Sequence, residues 1–141
     1  MRKRKTELRK TKDLLWELCR TFFKNKYLKN GQHFCFTCDK PIEKANCQLG
    51  HFIPSKVGGA LLRYHPNNLR LQCYYDNINL GGNGSEFYPR LIEEIGQKEI
   101  DKLFALKHKS IKADLIFYNT LIELYKDGDE KKIVEYLESL V

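Results

Sequence analysis

The chain has 141 residues, a formal charge of +7 and an isoelectric point of about 9.1, with 42% hydrophobic and 12% aromatic residues. That length suits one domain with its own core, and the composition excludes a disordered chain. No apolar run is long enough to span a bilayer, and the charged opening MRKRKTELRKTKD has no apolar segment behind it, so a cytoplasmic setting is expected.

The excess of positive charge suits a polyanionic partner. Lysines alternating with glutamates on solvated helix faces would give the same balance.

Residues 6–28 read as the first helix: Leu8, Leu15, Leu18, Phe22 and Phe23 recur near helical spacing, and Asn30-Gly31 ends the pattern. Trp16 and Cys19 pack on or beside that face. The RKRK run before it opposes the helix dipole and is expected to fray, free for phosphate. Residues 32–82 change character and hold most of the His, Cys, Asn and Gly. Strands are expected at Ala45–Phe52 and Asn68–Gln72, joined by a long loop over Ile53–Asn67. From Ser85 the helical period returns, in a stripe through Phe87, Leu91, Ile92, Ile95 and Ile100. Two more follow, over Ile111–Tyr125 and Ile133–Leu140, with Gly96 and Gly128 as punctuation. The layout is a single α+β domain: an N-terminal helix (6–30), a small metal-clamped core (32–84) and a helical C-terminal part (85–141).

The five cysteines are Cys19, Cys35, Cys38, Cys47 and Cys73. An odd number without an export signal argues against a disulfide framework. Cys35-Phe-Thr-Cys38 has the spacing of a zinc knuckle, and Cys73 offers a third thiolate from a distant segment. Asp76 stands where a second C-x-x-C would place its last ligand, in Cys73-Tyr-Tyr-Asp76; His33 and Cys47 are rivals for that place. Cys19, alone on an apolar helix, reads as a small buried hydrophobe. Zinc would clamp a region that has few large apolar residues.

His51 follows the first knuckle at the end of the first strand. Asn68 opens the second strand, and Asn77 follows the second knuckle. That order resembles the HNH, or ββα-metal, endonucleases. The longer set "LGHFIPSK", "LRYHPNNLRLQC", "DNINLGGN" and "FYPRLIEEIGQ" resembles the phage NinG/Rap recombination endonucleases over residues 35 to 98. The resemblance implies an HNH-like zinc-clamped core. It also implies a DNA endonuclease acting on branched recombination intermediates such as D-loops or Holliday junctions.

The residues offer matching chemistry. His51 would serve as general base near neutral pH, and Asn77 as a neutral oxygen ligand for a catalytic Mg²⁺ or Mn²⁺. Asn68 would hydrogen-bond to the imidazole or to the loop. Lys56, Arg63 and Arg70 would hold phosphates.

Two departures stand out. Gly50 occupies the place where many HNH enzymes carry a metal-binding Asp, and Asp76 stands where the relatives carry Cys. His65 is expected at the surface, the basic segment Lys107-His108-Lys109 as a solvated helix end or a phosphate contact, and Tyr74 and Tyr75 beside the zinc in partial burial. Paired cuts at a junction would suit a homodimer through the outer helices. The competing expectations are a non-catalytic zinc-stabilised DNA-binding accessory protein and an HNH nuclease of another pathway.

Overall fold

A computed structural model describes residues 6–141; the RKRK run at residues 2–5 lies outside the described residues. The first helix, α1 (Glu7–Lys26), starts where Thr6 accepts a hydrogen bond from the Arg9 N–H at 3.2 Å. Glu7 in its first turn and Lys24 and Lys26 in its last complement the helix dipole. Its buried edge is Leu15, Cys19 and Phe23, so Cys19 is the core residue that its position suggested.

Two short strands, β1 (His33–Phe34) and β2 (Pro41–Ile42), pair antiparallel on either side of the first knuckle. A second antiparallel pair, β3 (Cys47–His51) and β4 (Leu69–Cys73), forms the centre of the core. The first strand is shorter than the sequence suggested, and the second keeps its expected length but starts one residue later. Ala45 lies in a 3₁₀ turn over Lys44–Asn46, and Asn68 in another over Pro66–Asn68. The register sets Cys47 opposite Cys73 and Gly50 opposite Arg70. Strand alternation then puts Leu49, His51, Leu69 and Leu71 on one face and Gly50, Arg70 and Gln72 on the other.

The expected loop over Ile53–Asn67 is instead mostly a helix, α2 (Ser55–Arg63). Its Lys56–Ala60 stretch, with a glycine pair after Pro54, reads as irregular. Leu61 and Leu62 nonetheless bury on the core, and Gly59, at φ 67°, absorbs a kink that a residue with a Cβ would resist. After β4 a single π turn (Tyr75–Asn79) carries the chain to α3 (Gly84–Ile95). Tyr74 and Tyr75 on this corner are exposed, not partly buried as expected.

The remaining helices are α4 (Gln97–Leu106), α5 (Leu115–Asp127) and α6 (Glu130–Ser139). Asp114 caps α5 by accepting from the Phe117 N–H at 3.1 Å, so this helix starts later than its apolar stripe, and Ile111 packs from the preceding connection. Gly96 and Gly128 end their helices as expected. The α5 helix lies against α1, and the Tyr125 hydroxyl donates to the Tyr64 carbonyl in the core between them. None of the described helices is long and apolar enough to cross a membrane.

Two expectations for single residues fail here. His65 is buried, not a surface residue. Its Nδ1 accepts the Asn67 N–H at 3.1 Å, so the proton sits on Nε2, which is enclosed without a partner. Arg70, expected on phosphate, is 2% exposed. Its guanidinium donates to the carbonyls of Pro66 and Leu69 and pairs with Glu94 at 2.9 Å. Strand alternation turned it inward, and a buried cation must be paired where it lies.

Burial pushes the His65 imidazole down to about 4, with the Arg70 charge adding to the shift. The unfolded chain takes up this proton near pH ~6.5 while the folded one resists it until about 4. Stability is therefore lost as pH falls through that window. The melting temperature should fall between pH 7 and 5, and His65→Asn, which keeps an acceptor for Asn67, should flatten that slope. An unchanged slope in calorimetry would acquit His65.

Candidate metal centre and active site

The knuckle turn and the start of the π turn bring Cys35, Cys38, Cys73 and Asp76 together, with one donor atom of each within 4.8 Å of the others. Zn–S bonds of about 2.3 Å in a tetrahedron place the sulfurs about 3.8 Å apart. The Cys38 and Cys73 sulfurs are 3.9 Å apart, and Cys35 Sγ lies 3.7 Å from Asp76 Oδ2. The donor set and its spacing therefore fit a tetrahedral ion of the zinc type, with Asp76 as fourth ligand. His33 is not part of the group: its Nε2 meets the Lys24 carbonyl at 2.9 Å. Cys47 is also outside it, buried at the far end of the Cys73 rung.

Electrostatics point the same way. Burial and the neighbouring Cys35 sulfur push the Cys38 thiol up to about 12. Burial likewise raises Cys73. For Cys35 and Asp76 burial raises the pKa but hydrogen bonds outweigh it, from the Thr37 hydroxyl and Asn83 at Asp76 and from the Cys73 and Thr37 backbone at Cys35, so both groups are held below their usual ranges. Four such groups cannot all ionise side by side unless a cation offsets them.

Around the four ligands is a set of buried hydrogen bonds. The Thr37 hydroxyl donates to Asp76 Oδ2 at 2.6 Å, and Asn83 Nδ2 donates to the same oxygen at 3.2 Å. Gln72 Nε2 donates to Thr37 Oγ1 at 3.0 Å and to the Gly82 carbonyl at 2.8 Å. The Gln72 side chain reaches these partners by crossing the diagonal neighbour of its strand, Gly50. A Cβ at position 50 would stand 1.8 Å from Gln72 Oε1. Gly50 is therefore required by packing: the space its missing side chain leaves is filled by the carboxamide that braces the knuckle.

His51 lies on the opposite face, against α1. Its ring stacks on Trp16 with centroids 5.5 Å apart and planes 10° from parallel. Its Nε2 meets the Arg63 carbonyl at 3.0 Å. A carbonyl only accepts, so Nε2 carries the proton and Nδ1 keeps its lone pair. Among the described residues no hydrogen bond reaches Nδ1, and it is not one of the enclosed unpaired atoms. Burial pushes the imidazole down to about 4; the bond to Arg63 opposes this and the Arg63 charge reinforces it.

Asn68 does not touch the imidazole. Its side chain accepts from the Ile53 N–H at 2.8 Å and donates to the carbonyls of Ile53 and Leu62. That ties the chain after β3 to the end of α2, beside the Arg63 carbonyl that holds His51. Asn77 is half-buried on the π turn next to Asp76. The Glu86 carboxylate, in the first turn of α3, pairs with Arg90 at 3.4 Å. Lys56 and Arg63 share a cleft between α1 and α2.

The sequence did not single out Thr37, Gln72 or Asn83 as supports, nor Trp16 as the partner of His51. Thr37 sits inside the knuckle and Gln72 immediately before Cys73, so proximity to ligands was the available signal.

Purified wild type should carry zinc stoichiometric with the chain. Cys35→Ser and Asp76→Ala should lose most of it by elemental analysis, while Asp76→Cys should keep it; a metal-free wild type would refute the centre. Gly50→Ala should destabilise by about 1–3 kcal/mol, the range for overfilling a packed site. In a Gln72→Ala background the same change should cost clearly less, as a double-mutant cycle in urea would report.

The family model described as the bacteriophage lambda NinG protein matches residues 1–133. No curated protein and no solved structure matches the chain. A match over nearly the whole length settles kinship: the chain belongs to the bacteriophage lambda NinG family.

Proposed function

We propose that the protein is a metal-dependent, HNH-type DNA endonuclease of phage recombination that cuts branched intermediates. The observation that carries this reading is the state of His51. Its Nε2–H is committed to the Arg63 carbonyl, and its Nδ1 lone pair is left to take a proton from water. The Trp16 ring and the Asn68 tether on α2 hold that orientation. Lys56 and Arg63 supply positive charge beside it for phosphate oxygens.

The donors for a catalytic cation are few. Gly50 brings none, and among the described residues the only cluster of three or more His, Cys, Asp or Glu groups is the knuckle. Asn77 offers one neutral oxygen. That fits an ion whose remaining ligands are waters and substrate phosphates rather than a resident ion in a protein cage. Bound there, Mg²⁺ or Mn²⁺ would act as Lewis acid on the scissile phosphate.

A non-catalytic DNA-binding accessory protein is the competing reading, favoured by the packing role of Gly50 and the weak basicity of His51. Incubation with labelled linear and four-way-junction DNA separates the two. Junction cleavage in Mg²⁺ or Mn²⁺, abolished by EDTA and by His51→Ala with binding kept, is expected. Binding without cleavage in any metal would favour the accessory protein. Equal cutting of linear DNA would remove branch selectivity.

With His51 held near 4, its base form is fully populated above about pH 5. The acid limb of kcat/KM should lie below pH 6, not near the ~6.5 of an ordinary histidine. A limb near ~6.5 would show that the imidazole is more solvated than its packing implies.

A further inference from the structure

Six cations gather on the two sides of α2 that, among the described residues, neither the metal centre nor a salt bridge uses. A cleft of about 730 Å³ between α1 and α2 is lined by Arg9, Lys12, Lys56 and Arg63. A smaller cavity of about 240 Å³, where α2 meets the connection from α4 to α5, is lined by Lys56, Lys107 and Lys109. The two share Lys56, Gly59 and Ala60, so they adjoin across the kink in α2. None of the six pairs with a described carboxylate, whereas Arg20, Lys26, Arg70 and Arg90 do. Asp13 and Glu17 also line the larger cleft; Glu17 is engaged by Arg20 at 3.1 Å, and Asp13 has an interaction of its own. Two of the six are held by rings: the Arg63 guanidinium lies 4.7 Å from the Trp16 centroid and Lys12 Nζ 5.7 Å from that of Tyr118.

The geometry points to a continuous phosphate-binding track that crosses α2 and carries a DNA arm past the His51 side of the protein. One group of phosphates lies on Arg9, Lys12 and Arg63, the next on Lys107 and Lys109, and Lys56 stands at the crossing. A small anion would fill one cavity and leave the other charged. Two adjoining cavities that share a lysine suit a ligand with charge repeated along its length. Gly59, exposed and without a side chain at the kink, lets a backbone pass close to α2. The inference rests on DNA being the substrate and adds where the arm lies, extending contact to the connection between α4 and α5.

The test uses full-length protein and labelled four-way-junction DNA in EDTA, with binding followed by anisotropy over a salt series. Each phosphate contact contributes about 0.9 to the slope of log K against log salt, so Lys107→Gln/Lys109→Gln should lower that slope by about 2. Binding at fixed salt should weaken several-fold. The comparison variant is Lys131→Gln/Lys132→Gln, exposed on α6, which should bind as wild type does. Zinc content confirms that each variant is folded. An unchanged slope in the first pair, or an equal loss in the second, overturns the track. Cleavage in Mn²⁺ is measured in parallel. Cutting kept with an unchanged slope sinks the track alone; the expected slope change with no cutting in any metal supports the track and sinks the nuclease reading.

Discussion

Three thiols and a carboxylate crowd within 4.8 Å of one another at the end of a two-stranded sheet. Asp76 takes hydrogen bonds from Thr37 and Asn83, and Cys73 takes one from the Asp76 N–H; these soften the repulsion between ionised ligands without cancelling it, so the group still calls for a cation. Much of the region from Cys35 to Asn83 follows from that demand. The strands β1 and β2 are two residues each, too short to persist alone, and they hold the knuckle only because its sulfurs meet Cys73 and Asp76. The π turn places Asp76 of the candidate metal group and Asn77 on one corner.

The β3–β4 pair divides the work by faces. One face carries Gly50 and Gln72 and supports the knuckle; the other carries His51 under Trp16. Successive residues Gly50 and His51 therefore serve different neighbourhoods. Gly50 makes room for the Gln72 carboxamide, while His51 stacks on Trp16 and bonds the Arg63 carbonyl, so packing alone explains the glycine.

Much of this was legible from the sequence. The C-x-x-C spacing with Cys73 and Asp76 gave the candidate metal group, helical periodicity gave α1 and the C-terminal helices, and the expected strands overlap both β3 and β4. What failed did so for physical reasons. Glycines and Pro54 hid α2, because local propensity weighed against a helix that Leu61 and Leu62 stabilise by burial. Arg70 looked like a surface cation because its partner Glu94 lies on α3, far along the chain. His65 looked like a turn residue because nothing local announces that helices from the C-terminal part cover it. The roles of Thr37 and Gln72 depend on cross-strand geometry, which spacing alone does not encode.

The contact between positions 50 and 72 has a consequence for how such proteins change over time. A side chain at position 50 would have to displace the Gln72 carboxamide from the place it now fills. Shrinking residue 72 first would take the brace from Thr37 and from the Gly82 carbonyl. Either order passes through a less stable chain. The two positions are thus coupled in stability, and a change at one alters what the other can hold.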